Sequence, residues 1–175
     1  PGSGKSTVVN QLSFKALGLK IVNTDKSFET GLKKAGQTLD LKTVPAEIRD
    51  PIRKKAKRQT TRMMDRYIDG RLGLVFDTTS ADSGKIKAYL TQLNHLGYES
   101  KMVYVSASLD NAQKRNASRA RKLPPEIVKK DWDRSQKNID AMKKIFKKDF
   151  VQVTNDDDLS SLQKKTNSLF SKLMT

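Results

Sequence analysis

The sequence predicts an α/β fold, a parallel sheet flanked by helices, from three observations. Short apolar runs alternate with segments whose apolar residues recur at helical spacing. A glycine-rich turn, Gly2-Ser3-Gly4, leads into the first of those segments. Two apolar runs also finish beside a carboxylate, Asp25 and Asp77, as strands of a buried parallel sheet often do.

Val8, Val9, Leu12 and Leu17 predict a short helix from Lys5 to about Leu17. Lys20-Ile21-Val22-Asn23 reads as a buried strand, with Asp25 just past its end. A helix is expected from Ser27 to Ala35, stopping near Gly36. Pro45 suits the first position of the next helix, where Ile48, Ile52, Ala56, Met63 and Tyr67 or Ile68 mark an apolar stripe down to Asp69. Pro51 is expected to bend its first turns. Gly70-Arg71 breaks that helix before the strand from Leu72 to Asp77. Ile86, Tyr89, Leu90, Leu93 and Leu96 give a helix that stops at Gly97, and Met102 to Val105 a strand. Helices over about Asp110 to Ser118 and Pro125 to Phe146 follow, then a strand from Phe150 to Val153. Leu159, Leu162, Leu169, Phe170 and Leu173 give a closing helix its apolar face.

A chain of 175 residues fits one domain, expected over 1–175. The 35 Lys and Arg against 19 Asp and Glu leave a net charge of +16, which favours polyanionic partners. The same excess also suits a lysine-rich solvated surface. Without Cys and with His95 as the one histidine, disulfides, thiol catalysis and Cys-containing zinc sites are excluded. Any metal must then be held by oxygen ligands. No apolar run reaches membrane length and no signal pattern opens the chain, so a soluble, cytoplasmic protein is expected.

Pro1-Gly2-Ser3-Gly4-Lys5-Ser6-Thr7 completes most of a phosphate-binding loop: Gly, four residues, Gly-Lys, then Ser or Thr. Glycines let backbone amides converge on phosphate oxygens, and the helix that follows presents its positive end. Lys5 would reach the β and γ phosphates of ATP, Ser6 would give its hydroxyl to Mg²⁺, and Thr7 would help hold the α phosphate. The first Gly of the motif would lie ahead of Pro1, so a feeding strand is expected there, making this an N-terminally incomplete domain that lacks its first strand.

Four short places, spread over Pro1 to about Asn155, resemble the P-loop kinases that include polynucleotide 5'-hydroxyl kinases and zeta-toxin-like sugar-nucleotide kinases. They are the loop, Val22-Asn23-Thr24-Asp25, Val75-Phe76-Asp77-Thr78-Thr79, and Lys114 to Pro124 with its arginines. The resemblance implies Asp25 as general base for the acceptor hydroxyl and Asp77 at the metal. It also implies a lid over 115–125 whose Arg115 and Arg119 clamp the transferring phosphoryl group. Spaced four apart, these two arginines are expected on one side of a helix. Each residue also has an ordinary reading: Asp25 as a helix cap, Asp77 as a strand end, the arginines as a solvated face. Phe28 stands where polynucleotide kinases tend to carry a basic residue, and Asp77 where zeta-like kinases favour Glu or Gly.

Arg53 to Arg66 carries seven basic residues and one acid, which suits either a surface that tracks a nucleic-acid backbone or a solvated helix. Thr154 and Asn155 follow the last strand, where the loop is expected to border the adenine. Asp156-Asp157-Asp158 reads as an acidic start to the last helix, His95 as a helix-end cap, and Trp132 and Tyr89 as core or rim. The expected activity is an ATP- and Mg²⁺-dependent phosphotransferase acting on a nucleic-acid or nucleotide 5'-hydroxyl. A sugar-nucleotide kinase and a non-catalytic P-loop module are the alternatives.

Overall fold

The computed structural model describes residues 2–12, 14, 16–80, 82–156 and 164–165. The elements run α1 (Lys5–Gln11), β1 (Lys20–Val22), α2 (Thr24–Lys34), α3 (Ala46–Asp69), β2 (Leu74–Phe76), α4 (Ser83–His95), β3 (Met102–Ser106), α5 (Leu109–Ser118), α6 (Pro125–Phe146), a 3-10 turn (Lys147–Asp149) and β4 (Phe150–Thr154). This is an α/β fold, as the sequence predicts. Among the described residues the strands form two parallel pairs, β1 with β2 and β3 with β4.

The chain divides into two compact units. The first contains α1, α4, β3, most of α5, α6 and β4. Met102 stands opposite Phe150 and Ser106 opposite Thr154. The Tyr104 ring stacks on Phe150 with centroids 6.0 Å apart, and burial raises the pKa of its hydroxyl. Ala112 of α5 and Val128 and Met142 of α6 are fully buried, and Trp132 Nε1 donates to the Ala107 carbonyl at 2.8 Å. Trp132 therefore has its polar end satisfied inside the unit.

The second unit holds β1, α2, α3, β2 and the segment Asn116–Pro124. Lys20 pairs with Leu74 and Val22 with Phe76. Phe28 and Leu32, one turn apart on α2, join Leu41, Val44 and Ala56 in a core against which Leu123 packs. Burying side chains of this size contributes about 1.5–3 kcal/mol each. A methyl at Gly31 would lie 2.6 Å from Ile52 Cγ2, so glycine is what lets α2 and α3 approach. The Leu41 amide donates to the Lys122 carbonyl at 3.1 Å, which ties Asn116–Pro124 to this core.

Several elements differ from the sequence expectation. α1 stops at Gln11: Val8 and Leu12 take the buried positions, while Leu17 is 42% exposed. α2 begins three residues early because Asn23 caps it, accepting from the Asp25 amide at 2.7 Å. Pro45 is the cap of α3 and lies outside it, with extended ψ of 145°, and the helix runs on through Pro51. Helices end as expected ahead of Gly36 and Gly97, and α6 spans Pro125–Phe146. Arg119 lies past the end of α5, so Arg115 and Arg119 do not share a helix face. The predicted closing helix falls outside the described residues except at Lys164 and Lys165, which are helical.

Candidate functional site

In the first unit the loop Gly2–Thr7 turns on two left-handed glycines, with φ of 76° at Gly2 and 87° at Gly4. The Gly4 carbonyl accepts from the Thr7 and Val8 amides at 3.0 and 3.2 Å, which starts α1. Both glycines are also required by close packing. A Cβ at Gly2 would lie 2.2 Å from the Ala112 carbonyl oxygen, and one at Gly4 would lie 2.0 Å from Asn155 Nδ2. Side chains at either place would overlap atoms behind the loop.

Asn155 is the brace. Only 6% exposed, it donates its amide N–H to the Ser106 carbonyl and Nδ2 to the Ser3 carbonyl, both at 2.8 Å. Its own carbonyl accepts from Arg115 Nη1 at 2.8 Å. Arg115, expected as a clamp, thus contacts the residue that supports the loop, while Thr154 is exposed at the strand end. Lys5 is half-buried at the first position of α1, and Ser6 is exposed.

Asp156 accepts from the Ser108 amide at 2.6 Å and from Asn111 Nδ2 at 3.0 Å. It thereby serves the start of α5; Asp157 and Asp158, expected with it at the acidic start of the last helix, lie outside the described residues. The hydrogen bond from Asn111, then that from Ser108, holds its carboxyl below the usual value. His95 ends α4 and is exposed.

In the second unit a different set of residues converges. Asn23 bonds to both sequence-predicted residues: its Oδ1 accepts from the Asp25 backbone amide at 2.7 Å and its Nδ2 donates to the Asp77 carboxylate, Oδ2, at 2.6 Å. Asp25, in the first turn of α2, forms an ion pair with Arg121 Nη2. Arg121 Nε lies 2.8 Å from Glu29 Oε1, an ion pair by distance that lacks hydrogen-bond alignment. The Arg121 side chain is 12% exposed and that of Asp25 50%, so the carboxylate keeps an open side.

Asn116 explains both the end of α5 and the shape of the following loop. Its Nδ2 donates to the Leu123 carbonyl at 2.8 Å, and its Oδ1 accepts from the Leu123 amide at 3.1 Å and from Arg119 Nη2 at 2.9 Å. The buried amide closes residues 116–123 into a loop and turns Arg119 out of helical register. Across this unit, Arg53 of α3 places its guanidinium 4.5 Å from the centre of the Phe28 ring. Burial lowers the Arg53 pKa first; Asp25 raises it, and Arg121 and Arg49 lower it. Burial likewise lowers Arg119, followed by repulsion from Arg121 and opposed by Asp25 and Glu29.

Arg121, Glu29, Asn23 and Arg53 are the residues missing from the sequence-predicted site. Glu29 was open to discovery, being one helical turn from Asp25 on α2. Arg53 lies one turn before the buried stripe Ala56, Thr60 and Met64, which turns it inward.

A family model described as AAA domain matches residues 1–148. Neither the curated proteins nor the solved structures yield a match to the chain. Among the described residues no helix is long and apolar enough to cross a membrane.

Proposed function

The chain belongs to the AAA domain family, which matches residues 1–148, and from that premise we propose that it is an ATP-dependent phosphotransferase acting on a hydroxyl. The observation that carries this reading is the braced loop, where left-handed Gly2 and Gly4 lead straight into Lys5 at the start of α1. Loop amides and the positive helix end suit phosphate oxygens, and Lys5 supplies the charge for the β and γ phosphates of ATP.

Asp25 takes the proton of the acceptor hydroxyl as its oxygen bonds to the γ-phosphorus. The bond from that phosphorus to the bridging oxygen breaks, and ADP leaves with the electron pair. Mg²⁺, when bound, supplies charge neutralisation at the phosphates. Among the described residues no group of three or more His, Asp or Glu side chains forms a ready cation site. In this reading Ser6 and Asp77 each offer Mg²⁺ a hard oxygen donor, and the ion would take its other ligands from phosphates and water.

The preferred acceptor is a nucleic-acid or nucleotide 5'-hydroxyl. Lys54, Lys55, Lys57, Arg58, Arg62 and Arg66 are exposed on α3, a basic length of about 18 Å along the helix. A phosphate backbone is the complementary partner for such a face.

The test is Lys5→Ala in a transfer assay with γ-labelled ATP. Lys5 is outside the buried core, so the fold should survive while transfer is lost. Normal turnover in the folded variant would refute the loop reading.

A further inference from the structure

We propose that Arg115 is a positioning residue for the phosphate loop: it holds the Asn155 carbonyl, Asn155 Nδ2 holds the Ser3 carbonyl, and the Gly4 N–H is thereby aimed at the phosphates of ATP. This role rests on the ATP-binding loop of the proposed function. It differs from the phosphoryl clamp that the sequence resemblance implies for Arg115.

Peptide geometry supplies the first step. Among the described residues no peptide bond is cis, so the Ser3 carbonyl and the Gly4 N–H point in opposite directions from one plane. Asn155 Nδ2 takes the carbonyl at 2.8 Å, which leaves the N–H turned away from Asn155. The loop does not fix this direction by itself. Gly4 stands at φ 87°, and glycine takes either sign of φ about as readily, so its own backbone would tolerate a reversed peptide. The bond from Asn155 selects one orientation.

That bond is only as well placed as Asn155 itself. The Asn155 backbone is pinned on both sides: its N–H donates to the Ser106 carbonyl and its carbonyl accepts from Arg115 Nη1, each at 2.8 Å. A charged donor makes the second of these the stronger bond. Half-buried Arg115 also lies close enough to Asp156 for their charges to interact, which keeps the guanidinium at this corner.

A simple staple between α5 and the end of β4 would not need Arg115. Asp156 already makes that tie, through the Ser108 amide and Asn111 Nδ2. Nor would a staple need the Asn155 side-chain amide, whose burial is costly unless its polar atoms are bonded. Its donor is used on the loop. Arg115 and the loop are therefore joined through one buried side chain.

The experiment uses the full chain with Arg115→Gln, Arg115→Lys and Asn155→Ala. ATP affinity is measured by calorimetry, kcat and KM by label transfer, and the Gly4 backbone N–H is followed by NMR without nucleotide. Arg115→Gln should move the Gly4 signal in the same direction as Asn155→Ala and weaken ATP about tenfold, the scale of a hydrogen bond from a charged group. The loss should fall on KM for ATP, with kcat at saturating ATP kept within about twofold. Combining Arg115→Gln with Asn155→Ala should weaken ATP no further than Asn155→Ala alone, because Arg115 reaches the loop only through that side chain. Arg115→Lys keeps a charged donor for the carbonyl and should recover most of the affinity. A Gly4 signal unmoved in Arg115→Gln, additive losses in the double variant, or a fall in kcat with ATP affinity unchanged would overturn the role. Where Arg115→Gln does not fold, Arg115→Lys decides, since a clamp that needs the planar fork loses kcat and a positioning donor does not. The Gly4 signal is read without ATP, so it tests the brace even if no phosphate is transferred. Normal ATP binding without transfer to any acceptor would refute the phosphotransferase reading and leave this role standing.

Discussion

The two units hold their candidate residues in opposite ways. In the first, the contacts made directly to the loop are neutral hydrogen bonds and close packing, Asn155 on the Ser3 carbonyl, Gly4 against Asn155, Gly2 against Ala112, with the charged Arg115 one step behind on the Asn155 carbonyl. In the second, Asp25 is held by charge, through Arg121 from a segment 96 residues away in sequence. Neutral contacts at close range give a rigid shape that hardly depends on ionic conditions. Ion pairs give an arrangement that a competing anion can exchange, and which salt weakens where it is exposed. Under the proposed function, the rigid loop would cradle the phosphates of ATP, and the charge-held Asp25 would be the base.

The largest expected effect falls on the rigid side. Gly4→Ala places a methyl where Asn155 Nδ2 already lies and forces a left-handed conformation on alanine. ATP affinity, measured by calorimetry, should drop about a hundredfold or more, since the steric overlap adds to about 1–2 kcal/mol of backbone cost. Pairing it with Asn155→Ala should relieve the overlap but leave the backbone cost and remove the bond to the Ser3 carbonyl, and so recover only part of the loss. Unchanged ATP binding in Gly4→Ala would break the contrast, because the loop would then tolerate a shape it should reject.

A smaller effect is expected from the exposed charges of the second unit. Arg58→Ala should weaken a single-stranded oligonucleotide more than a mononucleotide and lower the slope of log affinity against log salt by about one unit. Equal slopes for variant and wild type would leave the basic face of α3 as a solvated surface.

The smallest tests the first unit's own charge. Asp156 has its folded pKa depressed by the Asn111 and Ser108 hydrogen bonds. Its contribution is therefore fully present above the ordinary aspartate value of 3.8 and is lost as pH falls through the lower folded value. Asp156→Asn should flatten the acid side of the melting-temperature profile slightly. Identical profiles would mean the start of α5 does not depend on that carboxylate.

Legibility in the sequence follows the same division. The loop was readable because its residues are contiguous and their chemistry is local. α6 was readable at both ends because Pro125 opens it and its apolar spacing persists to Phe146. Asn155 was reached by position after the last strand, but its bond to Ser3 spans 152 residues and leaves no local trace. The start of α2 was misplaced because Asn23, Asp25 and Ser27 are all acceptable caps, and only the tertiary bond from Asn23 to Asp77 selects among them. The expected Arg115–Arg119 pair failed for a related reason. Helical spacing carried no sign that buried Asn116 would bond Leu123 and end the helix between the two arginines. Arg121 stood in the quoted lid sequence, yet nothing local distinguished it from its basic neighbours.

Asp25→Asn in the label-transfer assay tests the central claim most directly. It keeps the shape of the side chain and removes its capacity to take a proton. Turnover should fall about a hundredfold or more, the usual scale for losing a general base, while ATP affinity stays within about twofold of wild type. A folded Asp25→Asn protein that transfers phosphate at the wild-type rate would contradict the account.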